Sequence, residues 1–269
     1  MPTGPFGLSL SKPIRTTMNA IDPIPERYHG VWQRTLLETP TERDTTTWVR
    51  WLQTGLWHGD LRVPPEADRR TPAGRAAQQG FGGTTLITQP DATQPEVCTW
   101  QRQIDLQPPR STPDAGHMVF ESPDCVHETG IHGTYFEVWE RLPGSLGTRI
   151  ALGALDESGA PTAERLLVAG RYLMHLRPRS AAWPADTAPD DSLAGVVARH
   201  PGHADELLDF DIGFGTLEHG VWTIERATVP EREGRVHTCA LQRTSQSEAT
   251  VKSPLLPVHW QVLEWHAPD

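Results

Sequence analysis

A chain of 269 residues with a formal charge of −10 can bury a sizeable core, and its acidity argues against nucleic acid or an anionic membrane as partner, since both demand clustered Lys and Arg. No apolar run reaches membrane-spanning length and the polar, proline-dotted start has no h-region, so neither a membrane span nor a secretory signal is expected. Three widely spaced cysteines, Cys98, Cys125 and Cys239, fit free thiols in a reducing cytoplasm, while 25 prolines and 23 glycines favour short strands over long helices.

In chain order, residues 1–27 read as a flexible arm. Strands are then predicted over Val31–Glu38, Thr45–Gln53, His58–Val63, Thr84–Thr88, Val97–Asp105, His117–Ser122 and Thr134–Leu142, each β-branched or aromatic and bounded by turn chemistry. One short helix fits among them, with Thr71 as its cap, Pro72 in its first turn and Gly80 closing it. After Pro143-Gly144 the pattern restarts, with strands predicted over Arg149–Leu155, Arg165–Leu176, Phe210–Thr216, Val221–Thr228, Arg235–Arg243 and His259–His266. Between the second and third of these, the acidic, proline-rich run 181–209 reads as a partly mobile connection holding one helix near Ser192–His200.

Short, regularly spaced strands with almost no helix imply an all-β protein of sandwich or barrel type. The halves also look like a degenerate repeat. Gly80-Phe81-Gly82, a Trp100 strand and the close Tyr135–Arg141 return as Gly213-Phe214-Gly215, a Trp222 strand and His259–Trp265. The expected division is a first unit at 28–143, carrying the ligand or active site, and a second at 144–269.

Asp124-Cys-Val-His-Glu-Thr-Gly130, Tyr135-Phe-Glu-Val-Trp139, Gly170-Arg-Tyr172, Phe214-Gly-Thr216 and Trp260-Gln-Val-Leu-Glu-Trp-His-Ala267 together resemble the fungal Hri family, named for interaction with a casein-kinase-I-type kinase. The resemblance implies two tandem antiparallel β-barrels of lipocalin or calycin type. It supplies no reaction and no catalytic residues. This chain departs from the fungal pattern in a first half richer in charged residues and tryptophan.

Residues of one parity on a strand share a face. In the first half one parity is unusual for a core: Trp32 with Arg34; His58, Asp60 and Arg62; Trp100 with Arg102; His117 with Glu121; and Tyr135, Glu137, Trp139 and Arg141. Facing inward, these would line an aromatic-walled, charged pocket; facing outward, they would be solvated strand faces, and register decides between the two. Aligning Trp100 with Trp222 and Val138 with Val262 sets charged positions of the first half against neutral ones of the second, which points to a task confined to the first.

On the inward reading, His117, Glu121, Glu137 and Asp60 are the catalytic acid–base candidates. Arg34, Arg62, Arg102 and Arg141, with Trp100, Tyr135 and Trp139, are the ligand-binding candidates for a small, anionic molecule. No cofactor and no metal are expected. His127-Glu128 and His132 lack the helical His-Glu-x-x-His spacing, and Cys125 reads as a structural thiol. Gly80-Phe-Gly-Gly-Thr84 has no phosphate-loop spacing and reads as a bend or bulge. Three functions stay open: a cofactor-independent lyase, isomerase or cyclase of specialised metabolism, a non-catalytic carrier of an anionic ligand, and a protein-interaction scaffold.

Overall fold

The computed structural model describes residues 23–65 and 68–267. The N-terminal sheet contains β1 (Gly30–Glu38), β2 (Arg43–Asp44), β3 (Trp48–Gln53), β4 (Trp57–Val63), β5 (Gln79–Thr88), β6 (Glu96–Asp105), β7 (Asp114–Ser122), β8 (Cys125–Gly130) and β9 (Phe136–Arg141). It runs as an antiparallel meander, and β9 returns to pair with β1, from Trp32↔Arg141 to Glu38↔Phe136, which closes a barrel. The two-residue β2 only extends the β1 hairpin, so eight strands form the wall.

The C-terminal sheet contains β10 (Arg149–Leu155), β11 (Pro161–Ala169), β12 (Tyr172–Arg177), β13 (Asp211–Glu218), β14 (Val221–Ala227), β15 (Val236–Thr238), β16 (Ala240–Arg243), β17 (Glu248–Lys252) and β18 (His259–His266). Here β10 pairs with β18, while β15 pairs with β14 and β16 with β17. Only Cys239 separates β15 from β16. A single run kinked at that cysteine therefore spans the remaining gap, and the second barrel is nearly closed. The fold is two barrel-like sheets with a few short helices, and no helix among the described residues is long and apolar enough to cross a membrane.

Three sequence expectations change. Residues 1–22 of the expected arm lie outside the described residues, and residues 23–27 are anchored through Ile24, which is buried and whose N–H donates to the Gly55 carbonyl at 2.7 Å. The predicted strand Arg165–Leu176 is a hairpin that turns at Gly170-Arg171, where Gly170 has φ +55°. The run 181–209 is docked rather than mobile. Its helices α2 (Leu193–Arg199) and α3 (Ala204–Leu207) bury Leu193, Val196 and Leu207, and the Ser192 hydroxyl caps α2 by accepting from the Gly195 N–H. Thr71 caps α1 (Pro72–Ala76) in the same way, accepting from the Gly74 N–H at 3.1 Å.

The barrels pack through the outer faces of β3 and β4 against β11, β12 and β13. Leu52, Leu61 and Val63 join Leu167, Met174, Leu176, Ile212 and Phe214 in one apolar cluster. The apolar residues of β4 therefore lie on its outer face, and Gly59 on that face permits the approach, since a Cβ there would sit 2.6 Å from the Met174 sulfur. Inside the second barrel, Leu152, Leu166, Val168, Trp222, Ile224, Val251 and Trp260 fill the space.

The repeated motifs hold equivalent places in the two meanders. Gly80-Phe81-Gly82 lies on β5 and Gly213-Phe214-Gly215 on β13, each the fourth wall strand, and Trp100 and Trp222 lie on the fifth. The strand closing each barrel aligns one residue away from the sequence expectation, because Val262 points inward whereas Val138 points outward. Both barrels bend at a bulge on the fifth strand, at Gln103 and Glu225, that faces a glycine of the fourth. A Cβ at Gly83 would lie 2.0 Å from the Gln101 carbonyl oxygen, and one at Gly215 would lie 1.8 Å from that of Thr223. Backbone cannot give way as a side chain can, so Gly83→Ala and Gly215→Ala are each expected to lower stability by about 1–3 kcal/mol in urea denaturation.

Candidate functional site

The first barrel is only half filled. Toward one end Tyr28, Trp32, Cys98, Met118 and Val126 pack tightly, and Trp51 stacks on Trp32 at 6.1 Å while meeting Trp100 and Trp139 edge-on at 5.4 and 5.8 Å. Trp51, Trp100 and Trp139 floor a cavity of about 420 Å³ that opens at the other end, where β1, β4 and β8 finish and β5, β7 and β9 begin. Asp60, Glu137, Arg34, Arg62, Arg102, Trp100, Tyr135 and Trp139 all line it, so their strand faces point inward.

His117, Glu121 and Arg141 lie elsewhere. On β7 the inward positions are Asp114, Gly116 and Met118, so His117 and Glu121 fall on the opposite face, where Glu121 is exposed and 3.5 Å from His127. Arg141 has inward parity but sits at the far, filled end. Its guanidinium lies 4.4 Å from the Trp32 ring, donates to Asp124 at 2.9 Å and ties down the carbonyls of Arg27, His29 and Pro123. It closes the barrel floor and is remote from the cavity. The His127, Glu128 and His132 set is also divided, because His127 and Glu128 alternate to opposite faces of β8.

The arginines expected to hold an anion are already held by carboxylates. Arg34 donates to Glu137 at 2.8 Å and to Asp44 at 2.9 Å. Arg62 donates to Asp60 at 2.8 Å. Arg102 reaches Asp105 at 2.9 Å and Asp114 at 2.5 Å, with its guanidinium carbon 3.4 Å from the centre of the Phe81 ring. The bulge on β6 makes this double contact possible: Arg102 pairs with Gly83 and Asp105 with Phe81, both inward, because Gln103 is the extra residue between them. Burial would raise the Asp114 carboxyl, but Arg102 and Arg62 outweigh it and hold it below the usual range, whereas for Asp105 burial prevails and raises it. Burial likewise opposes ionisation of Asp44, yet donors from Thr46 and Thr47 keep it well below the usual range. Burial also works against the Arg62 charge, and Asp60 and Glu137 overcome that effect.

One carboxyl differs from the rest. Glu128, buried at 3% exposure, lies directly across from Glu137 in the β8–β9 register and has only neutral donors, the Tyr135 hydroxyl at 2.7 Å and the Trp139 indole N–H at 3.0 Å. Burial first, and Glu137 second, push its proton affinity well above that of an ordinary carboxyl. Gly116 on the neighbouring strand makes room for the side chain, since a Cβ there would fall 2.6 Å from the Glu128 Cγ. No strand is expected from sequence over Cys125–Gly130, and therefore no acid–base role for Glu128. The alternation Val126, Glu128, Gly130 was the available signal, masked by two flanking glycines that resemble a turn.

Beneath the cavity wall His58 is buried, with Nδ1 3.0 Å from the Thr85 hydroxyl, and burial lowers its pKa to about 3. It is a neutral core histidine. Cys125 is half-buried on the outer face of β8, and burial followed by Glu140 and Glu121 raises its thiol. No group of three or more metal-ligating side chains gathers among the described residues.

No family model matches the chain, and no curated protein matches it. Among solved structures, the uncharacterized protein YLR301w of Saccharomyces cerevisiae has the same fold. The TM-score is 0.58 over 88% of this chain and 99% of that one, at 12% sequence identity. That likeness carries the two-barrel fold alone.

Proposed function

We propose that the first barrel captures a small polar molecule and moves protons on it, as a cofactor-independent lyase, isomerase or cyclase. The observation that carries this is the Glu128–Glu137 pair: two facing carboxyls inside a cavity, one bound by Arg34, the other without a cationic partner and with its proton affinity raised by burial and by its neighbour. Environments that separate two neighbouring acids in this way give a site two proton-transfer groups of unequal affinity, whose roles the bound ligand then sets. Asp60, held by Arg62, and the Tyr135 phenol complete the polar wall, while Trp51, Trp100 and Trp139 offer an apolar floor. The second barrel, filled by its own side chains, serves as the platform. The motif order supports kinship with the fungal Hri family and a calycin-like ancestry, and three free thiols support a reducing, cytoplasmic setting.

Native mass spectrometry of freshly purified protein tests this role. Wild type is expected to carry a small-molecule adduct or to take one up from a metabolite extract. Glu137→Gln and Tyr135→Phe, both near-isosteric, are expected to lose it while keeping the near-UV circular dichroism. Chemistry is then read on the captured molecule at saturation, where Glu128→Gln is expected to slow turnover by about 10²–10⁴-fold. Capture without turnover would leave a carrier, and no capture by any preparation would leave a scaffold.

A further inference from the structure

The charge of the cavity identifies the kind of molecule it takes. Its lining includes four arginines, Arg34, Arg62, Arg102 and Arg110, against six acids, Glu42, Asp44, Asp60, Asp114, Glu128 and Glu137. Arg34, Arg62 and Arg102 are each engaged by at least one carboxylate, and the acids remain in excess. Within the cavity an anionic ligand would have to displace buried carboxylates from those three arginines, each exchange leaving a buried charge without its partner, whereas Arg110 lies exposed at the rim, away from the aromatic floor. A cation meets no such obstacle. It would find an aromatic floor suited to positive charge and, above it, a buried carboxyl with no cationic partner.

We propose that the first-barrel cavity takes a ligand carrying an ammonium group, its positive charge seated between the Trp51–Trp100–Trp139 floor and the Glu128 carboxyl. The inference rests on the first barrel being a ligand site and adds the chemical class of what binds there. The groups that face Glu128 are Glu137 and Tyr135 from the β9 side, Asp114 on β7, Arg62 on β4 and Cys98 on β6. Arg62 is already neutralised by Asp60, so the local field at Glu128 is acidic and a cation relieves it. As the cation docks, Glu128 gives its proton to the buffer and faces the ligand as a carboxylate; no other bond forms or breaks. The ligand's own charge thereby turns a neutral acid into a base beside the substrate, which suits proton abstraction next to the charged group.

Three probes of one shape and different charge decide the matter: choline, 3,3-dimethyl-1-butanol and 3,3-dimethylbutanoate. They are titrated against the fluorescence of the buried tryptophans at constant ionic strength. Choline is expected to bind at least about tenfold more tightly than the alcohol, equivalent to about 1.4 kcal/mol, with the carboxylate weakest. In Glu128→Gln the preference for choline over the alcohol is expected to fall to within about twofold. Calorimetry in two buffers of different ionisation enthalpy should show proton release on choline binding to wild type and none with the variant. Tighter binding of the alcohol or the carboxylate would overturn the cationic class and leave the cavity a ligand site. A preference for choline that survives in Glu128→Gln would overturn the seat assigned to the charge. If no probe binds saturably, both the class and the ligand site fall.

Discussion

Arg34→Met is expected to destabilise the protein by about 3–5 kcal/mol, the size of effect seen when one member of a buried ion pair is removed. The guanidinium has 6% of its surface exposed and bridges Glu137, at 5%, and Asp44, at 10%. Removing it leaves two desolvated carboxylates at the cavity wall, and water in the cavity can hydrate them only in part. The partners therefore bear most of the loss, and neutralising them should restore stability. Arg34→Met combined with Asp44→Asn and Glu137→Gln is expected to recover more than half of it, because the neutral amides carry no uncompensated charge. Urea denaturation at neutral pH measures both variants. A loss below about 1 kcal/mol for Arg34→Met would place the pair in the exposed class and deny the cavity its low-dielectric wall.

The same residues show why some of this site could be read from sequence and some could not. Parity on a strand is a local property, so the shared face of Trp32 with Arg34, or of Glu137 with Trp139, is visible without a structure. Which face is inside depends on pairing across the whole barrel, from β1 to β9, over more than a hundred residues. His117 and Glu121 show the limit. Their side chains share parity with each other, but Gly116 and Met118 take the inward positions of β7 because Cys98 and Glu96 oppose them across the register. Bulges add a second limit. The extra residue at Gln103 places Arg102 and Asp105 on one face, although their spacing of three would separate them on a regular strand.

The matching strand order of the two barrels isolates what separates a filled barrel from a half-empty one. Equivalent strands carry equivalent tryptophans, Trp100 and Trp222, and equivalent glycines opposite the bulge, so the frame of each barrel is the same. The difference lies in what stands beside the tryptophan: Arg102 in the first barrel and Ile224 in the second, opposite Gly83 and Gly215 respectively. Ile224 joins the apolar interior of its barrel, whereas Arg102 recruits Asp105 and Asp114 and keeps the space above it polar. Charge on the inner wall prevents the first barrel from filling itself with apolar side chains.

Glu128 should make the folded protein lose stability as the pH rises, the reverse of the usual behaviour of a carboxyl. Its folded-state pKa is raised, so between the unfolded value of about 4.3 and the raised value the folded state holds a proton that the unfolded state has released. Stability then falls with pH through that window, at up to about 1.4 kcal/mol per pH unit. The buried histidines act in the opposite direction. His58, at about 3 when folded, contributes stability that is present above about 6.5 and lost as the pH falls, and His29 and His175, both lowered by burial, follow the same sign. Below pH 6.5 the two effects oppose each other, and above it the histidines no longer contribute a slope. Comparison with Glu128→Gln isolates the carboxyl, since the amide oxygen can still accept from Tyr135 or Trp139. The variant is expected to gain on wild type steadily as the pH rises from 5 toward 8 in urea denaturation, with the gap widening until Glu128 ionises. A gap that stays constant over that range would mean that Glu128 is already ionised in the folded protein. The proton released by an incoming cation would then have no source, and Glu128 could act only as a fixed charge.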